Sequence, residues 1–308
     1  MAGFLIFSEN NGLALELVTA AKSLNAAAVS ACVINNDEQA QALASRGIQV
    51  YAVKNNDLLM ADVGAIATAV TQVADKAGAD TVLLASNRRG KELAGRLAQA
   101  MNAGCLTDVA ALSIEGDKIL CQRNALGGAT VATQCIDAAN KVIAIRPRIF
   151  EAAAEGGTGA VDEIAVDVKK SGVTVLAFKP RAGEDVDIEA AEVLVVVGQG
   201  LNSQDDLPAV EELARKLGGE VACSKPVATD KKWLSEERII GLSGKKCKPQ
   251  LAILMGISGQ VQFTVGIRDA KTIVAVNSDE NATINQMADY IITADLHDVV
   301  AQMNQKLG

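Results

Sequence analysis

Along the first ~100 residues, short apolar runs alternate with stretches in which apolar positions recur every three to four residues. The runs at 4–7, 28–34, 48–53 and 81–85 read as strands, and the periodic stretches at 12–24, 37–45, 61–77 and 90–101 as helices. This alternation predicts a parallel sheet with helices on both faces. The texture then changes. Segments 109–115, 118–123, 129–134 and 141–145 are short, β-like and broken by Gly-Asp or Gly-Gly, without a helical stretch between them. They predict a strand-rich extension of the first sheet, followed by further strands at 164–169 and 174–179.

Residues 181–191, RAGEDVDIEAA, are charged and aperiodic and read as a linker. A second alternating unit follows, with strands at 193–197, 220–223, 251–255, 272–276 and 290–293 and helices at 204–217, 259–267, 284–287 and 296–306. The expected architecture is α/β in two domains: 1–185, a parallel-sheet domain with a strand-rich extension, and 186–308, a doubly wound domain.

Composition narrows the function. A chain of 308 residues with 49% hydrophobic and 21% charged residues can bury two cores and is not disordered. A net charge of −8 without a Lys/Arg block disfavours nucleic acid and anionic membranes. No apolar stretch reaches the ~20 residues that span a bilayer, so membrane insertion is not expected. The start, MAGFLIFSE, enters a strand-like run with no basic leader, so a cytoplasmic protein is expected. The six cysteines (32, 105, 121, 135, 223 and 247) show no CxxC spacing and read as isolated core thiols in a reducing compartment. The one histidine, His297, has no nucleophile near it and reads as a surface or helix-end residue. Trp233 reads as covering an edge of the second domain, and Lys231 and Lys232 as surface charge. Arg88 and Arg89 open the fourth helix, where they suit either a phosphate or a solvated face.

The candidate chemistry lies in the turns. In open α/β sheets, ligands bind beyond the carboxyl ends of the strands. In the second half those turns read GQGL (198–201), SKPVATD (224–230), GLSGK (241–245), GISG (256–259), NSD (277–279) and AD (294–295). All are small and polar. Glycines let a backbone approach a ligand closely. Ser258 and the N–H groups opening the next helix suit a phosphate or pyrophosphate. Asn277 and Asp295 suit the hydroxyls or base of a nucleotide. GQGL is not GxGxxG, because Ser203 stands at the third glycine position. A nucleotide cofactor is expected. The turns suit a redox carrier, a pyridine-nucleotide oxidoreductase or a nucleotide-binding regulatory module alike.

Taken together, SKPVATD, GLSGK, GISGQVQF, VNSD and ADYIITAD resemble the FAD-domain segments of the alpha subunit of electron-transfer flavoproteins. NRRGKELAGRLA (87–98) and LTDVAALSIEGDKILCQRNALGGATVAT (106–133) resemble that family's first-domain segments. The resemblance implies a flavodoxin-like or adenine-nucleotide-hydrolase-like first domain and an FAD-binding second domain. It implies that Ser258 and the backbone of Gly259, Gln260, Val261 and Gln262 hold the pyrophosphate and ribityl chain. Asn277 and Asp295, with the adjoining Leu296, would bind the adenosine end. Ser224 and the turn Ile240, Gly241, Leu242 and Ser243 would face the isoalloxazine. Four positions depart from the family pattern: Lys225 stands for arginine, Leu242 for glutamine, Phe263 for histidine and Gln199 for arginine. Each would remove or weaken polar contact with the flavin, which implies a lower flavin potential or a less stable anionic semiquinone.

The resemblance further implies an electron carrier, not an enzyme, moving electrons between an acyl-CoA or other flavin dehydrogenase and a redox partner. It implies a heterodimer with the electron-transfer flavoprotein beta subunit, contacted by the first domain through 106–150 and 157–169, and a hinge at 181–191. The alternative under the same fold is a nucleotide-binding scaffold or regulatory module that has lost flavin chemistry.

Overall fold

The computed structural model describes residues 3–25, 28–128, 130–168, 171–177 and 186–307. The chain forms two compact α/β units, Met1–Phe178 and Lys179–Gly308.

The first unit begins as the apolar pattern requires: β1 (Gly3–Phe7), α1 (Asn11–Ser23), β2 (Val29–Ile34), α2 (Asp37–Ala44), β3 (Gln49–Val53), α3 (Val63–Ala77), β4 (Ala79–Ala85) and α4 (Arg88–Ala100). Each helix opens on a residue whose side chain accepts a backbone N–H three residues on. The pairs are Asn10 with Leu13, Asn36 with Gln39, Asp62 with Ala65 and Asn87 with Gly90. Successive residues of β1 bury on opposite faces. Leu5 and Phe7 pack with α3 and α4, and Phe4 and Ile6 with α1 and α2.

The extension follows as β5 (Gly104–Glu115), β6 (Lys118–Ala125), β7 (Thr130–Cys135) and β8 (Lys141–Ile145), then a short β9 (Val161–Glu163). β5, β6 and β7 form an antiparallel meander, and β8 returns parallel between β4 and β5. The nine strands run β7-β6-β5-β8-β4-β1-β2-β3-β9.

The expected strands at 164–169 and 174–179 are not found among the described residues; 169–170 and 178–179 lie outside them. The alternation at 164–168 is real but serves packing. Ile164, Val166 and Val168 press on the core. The Gln72 amide on α3 donates to Asp167 O and accepts its N–H, both at 2.9 Å, supplying what a neighbouring strand would.

The direction of winding changes between β1 and β4. At that point Glu9 accepts from Asn87 Nδ2 (3.3 Å) and Arg89 (3.2 Å), so Arg89 meets an internal carboxylate. Cys32, Cys121, Cys223 and Cys247 are core thiols as expected, and burial pushes the Cys223 thiol up to about 12. Cys105 is exposed and Cys135 half-buried, because both lie in the meander strands β5 and β7, where much of the surface is open.

The second unit contains β10 (Val193–Val197), α5 (Leu207–Lys216), β11 (Glu220–Cys223), α6 (Lys225–Thr229), β12 (Leu251–Met255), α7 (Val261–Thr264), β13 (Thr272–Asn277), β14 (Tyr290–Thr293) and α8 (Leu296–Lys306). All strands pair in parallel in the order β11-β10-β12-β13-β14, so the winding reverses between β10 and β12. Val195 and Val197 face α5 and α8, and Leu194 and Val196 face the other core.

Three expected helices are shortened or altered. The stretch 259–267 holds only the four residues of α7, because Gly259 is left-handed (φ +95°) and Gln260 extended. Residues 283–287 form a 3-10 turn. The 204–217 helix opens with a 3-10 turn and becomes α-helical from Leu207, with a proline in its first turn. Of the expected linker, 181–185 lie outside the described residues. Residues 186–191 do not behave as a spacer: Ile188 is fully buried, and Val186 and Ala191 pack on the same core.

Candidate functional site

The turns after β10 and β12 meet where the winding reverses. A Cβ on Gly198 would lie 2.2 Å from the carbonyl oxygen of Gly256, and Gly200 N donates to that same oxygen at 3.0 Å. These glycines let the two turns touch, and they also line the cleft. Beside them opens a cleft of about 880 Å³, within the range of a cofactor site.

Every strand of the sheet contributes to its walls. Gln199 follows β10; Ser224 and Lys225 follow β11; Ser258, Gly259, Gln260, Gln262 and Phe263 follow β12; Asn277 ends β13; Asp295 and Leu296 follow β14. Ile240 and Ser243 complete the predicted set that lines the cleft. Gly241, Leu242 and Val261 do not line it. Gly241 is packed under Gln262, with that carbonyl 2.5 Å from where a Cβ would sit. The side chains of Leu242 and Val261 are exposed. Leu242 N donates to Gln262 O at 2.7 Å, which fixes its backbone and leaves its side chain outward.

Sequence reasoning placed Ser278 and Asp279 in a candidate turn without giving them a role, and it missed Asn202, Asn281 and Thr283; all five line the cleft. The polar run NSDENAT after β13 was the available signal. Thr283 Oγ1 and Ile284 N donate to Ser258 O at 2.8 and 3.1 Å, tying that run to the GISG turn.

The donors fit a large anionic nucleotide. Among the described residues, the side chains of Gln199, Ser224, Lys225, Ser243, Ser258, Gln260 and Gln262 have no hydrogen-bond partner. The N–H groups of Val261 and Gln262 at the start of α7 likewise have no acceptor, and no side chain caps that helix. Phe263, Ile240 and Ile257 supply an apolar wall. Asn277 differs: its Nδ2 donates to Ile257 O (2.9 Å) and its Oδ1 accepts from Asp279 N (3.0 Å), so its amide latches two turns together.

Asp295 caps α8 and joins the lone histidine. His297 sits in the first turn of that helix, as a helix-end residue. Its Nδ1 meets Asp295 Oδ1 at 2.7 Å and its Nε2 meets Asp206 Oδ2 at 3.0 Å. Both nitrogens donate only when the ring is protonated. These bonds, Asp206's first, raise His297 above its ordinary 6.5. A raised native value means stability fully present below the ordinary value and lost as pH rises through the raised one. The His297 backbone N–H, then its side chain, hold Asp295 below the usual carboxylate range, so that part is lost in acid. We expect the single histidine's NMR signals to titrate above 6.5. We also expect the melting-temperature advantage of wild type over His297→Gln to shrink as pH rises above the ordinary 6.5 and through the raised value. An unshifted titration, or parallel melting curves, would contradict this.

A cleft at the switch point of a doubly wound sheet, carrying unpaired donors on one wall and apolar side chains on another, defines a nucleotide-binding α/β protein. Residues 187–268 match the family model described as the electron transfer flavoprotein FAD-binding domain, and residues 8–170 match the electron transfer flavoprotein domain. The protein named FixB from Escherichia coli O6:K15:H31 is 33% identical over 98% of this chain and 97% of its own. FixB from Shigella flexneri is 32% identical over the same shares. The chain belongs to the electron-transfer flavoprotein alpha-subunit family, and its cofactor is FAD. No described helix is long and apolar enough to cross a membrane.

Proposed function

We propose that this chain is an electron carrier that converts no substrate itself. It holds FAD in the second unit and passes electrons between a dehydrogenase, of the acyl-CoA type, and a redox partner. The observation that carries this reading is the set of unpaired cleft donors within a matched FAD-binding domain. FAD supplies the redox chemistry, and the protein binds, orients and tunes it.

In this reading, Ser258 and the N–H groups of Val261 and Gln262 receive the pyrophosphate. Asp295, whose Oδ2 has no partner among the described residues, meets the adenosine end, while Asn277 braces the turns around it. Ser224, Lys225 and Ser243 provide hydroxyl and ammonium donors toward the flavin ring, and Phe263 provides its apolar neighbour. The first unit pairs with a beta subunit, for which the meander β5–β7 offers exposed Leu126 and Val131.

Co-expression with the beta subunit tests the whole reading. The expected product is a yellow heterodimer with FAD released on denaturation, reduced by an acyl-CoA dehydrogenase and its substrate. A colourless complex would sink the carrier reading. A yellow complex that no flavin dehydrogenase reduces would remove the proposed donor.

A further inference from the structure

We propose that Lys231 is a positioning residue for the FAD cleft, holding the 198–201 turn in place through its ammonium group. The proposal rests on the FAD reading and goes beyond the cleft's own lining. Lys231 reads in the sequence as surface charge, but its Nζ donates to Leu201 O at 2.7 Å and Gln199 O at 3.3 Å. The same ammonium stands 4.1 Å over the centroid of Trp233.

The peptide between Gln199 and Gly200 is thereby fixed at both ends. Its oxygen meets Lys231, and its N–H, on Gly200, donates to Gly256 O at 3.0 Å. Gln199, which lines the cleft, is presented from this doubly held peptide. Lys231 is held in turn. Its N–H donates to Pro226 O at 3.0 Å, and the left-handed Lys232 (φ +57°) brings Trp233 back beneath the ammonium. Trp233 N donates to Val227 O at 3.1 Å, and the side chain packs on the core of α5 and α8.

Among the described residues no carboxylate pairs with Lys231. Loss of the ammonium frees one end of the 199–200 peptide from which Gln199 is presented, and so weakens cofactor binding.

The test uses the complex with its beta subunit and measures free FAD after ultrafiltration. Lys231→Met keeps the aliphatic stem but loses both ammonium hydrogen bonds onto the 198–201 turn, and is expected to raise the FAD dissociation constant about tenfold. Lys231→Arg keeps a cation that stacks on Trp233 and donates to carbonyls, and is expected to stay within about threefold of wild type. A Lys231→Met protein that binds FAD as wild type does would overturn the proposal. So would a Lys231→Arg protein as weak as Lys231→Met, which would mark a merely steric role. Wild type without FAD would instead sink the functional reading, and this proposal with it, so the two failures are told apart.

Discussion

Gly259→Ala is expected to strip FAD from the complex and to destabilise the second unit by roughly 3–5 kcal/mol. Gly259 has φ +95°, and an added Cβ would sit 2.2 Å from Ile284 N and 2.6 Å from Ile284 Cα. These are backbone atoms and cannot rotate away. Relief requires parting the GISG turn from the 283–284 turn, which breaks the two bonds onto Ser258 O. Left-handed backbone without glycine costs about 1–2 kcal/mol, and each lost hydrogen bond about 1 kcal/mol. The same movement displaces Ser258 and the α7 N–H groups proposed to hold the pyrophosphate. Gly218→Ala is the control. Gly218 is also left-handed (φ +68°), but a Cβ there meets nothing within 4 Å. It should lose only the conformational part, about 1 kcal/mol, and keep its FAD. Denaturant unfolding and flavin content of the two variants decide the matter; equal behaviour would remove the steric argument.

The second large effect is expected at Phe263. Phe263→His should raise the midpoint potential of the bound flavin by roughly 30–60 mV while lowering stability by about 1–3 kcal/mol. Phe263 is 7% exposed and packs with Ile240, Ile257, Ile267 and Ala282 while lining the cleft. An imidazole in that apolar setting stays neutral, because burial disfavours its cation. It still offers one N–H toward a reduced, more negative flavin, and a hydrogen bond to a charged group contributes about 1.5–3 kcal/mol. That sign agrees with the low potential implied by the four departures at Gln199, Lys225, Leu242 and Phe263. The structure reduces the weight of one of them, since Leu242 points away from the cleft and is exposed. Phe263→Leu removes the ring without adding a donor and should leave the potential near that of wild type. Redox titration of the three proteins checks this, and an unmoved potential in Phe263→His would refute it.

Much of the fold is legible along the chain because its signals are local. Period-2 and period-3.6 patterns in the first ~100 residues define strands and helices whose type does not depend on distant neighbours. Asn10, Asn36, Asp62 and Asn87 mark the helix starts through bonds spanning three residues. The turns that gather at the cleft are legible too, since in a parallel doubly wound sheet all strand carboxyl ends emerge on one edge. Thirteen of the sixteen predicted site residues line the cleft, eleven of them at or just after the carboxyl end of a strand.

Other features depend on where elements pack, and no local pattern encodes that. The alternation at 164–168 looks like a strand, but α3 and Gln72 claim its backbone. Tyr290, Ile291 and Ile292 are as apolar as a buried strand, yet β14 lies at the sheet edge and all three are exposed. Gly198 and Gly256 look like ligand cradles, and they are also required by each other, 58 positions apart in the chain. Asp206, 91 residues from His297, converts a surface histidine into a clasp between two helix starts. Lys231 reaches back 30 residues to Leu201 and changes from surface charge to a brace. In each case the deciding partner lies far away in sequence and within a few ångströms in space. Backbone approach, hydrogen bonding and charge act over that second distance alone.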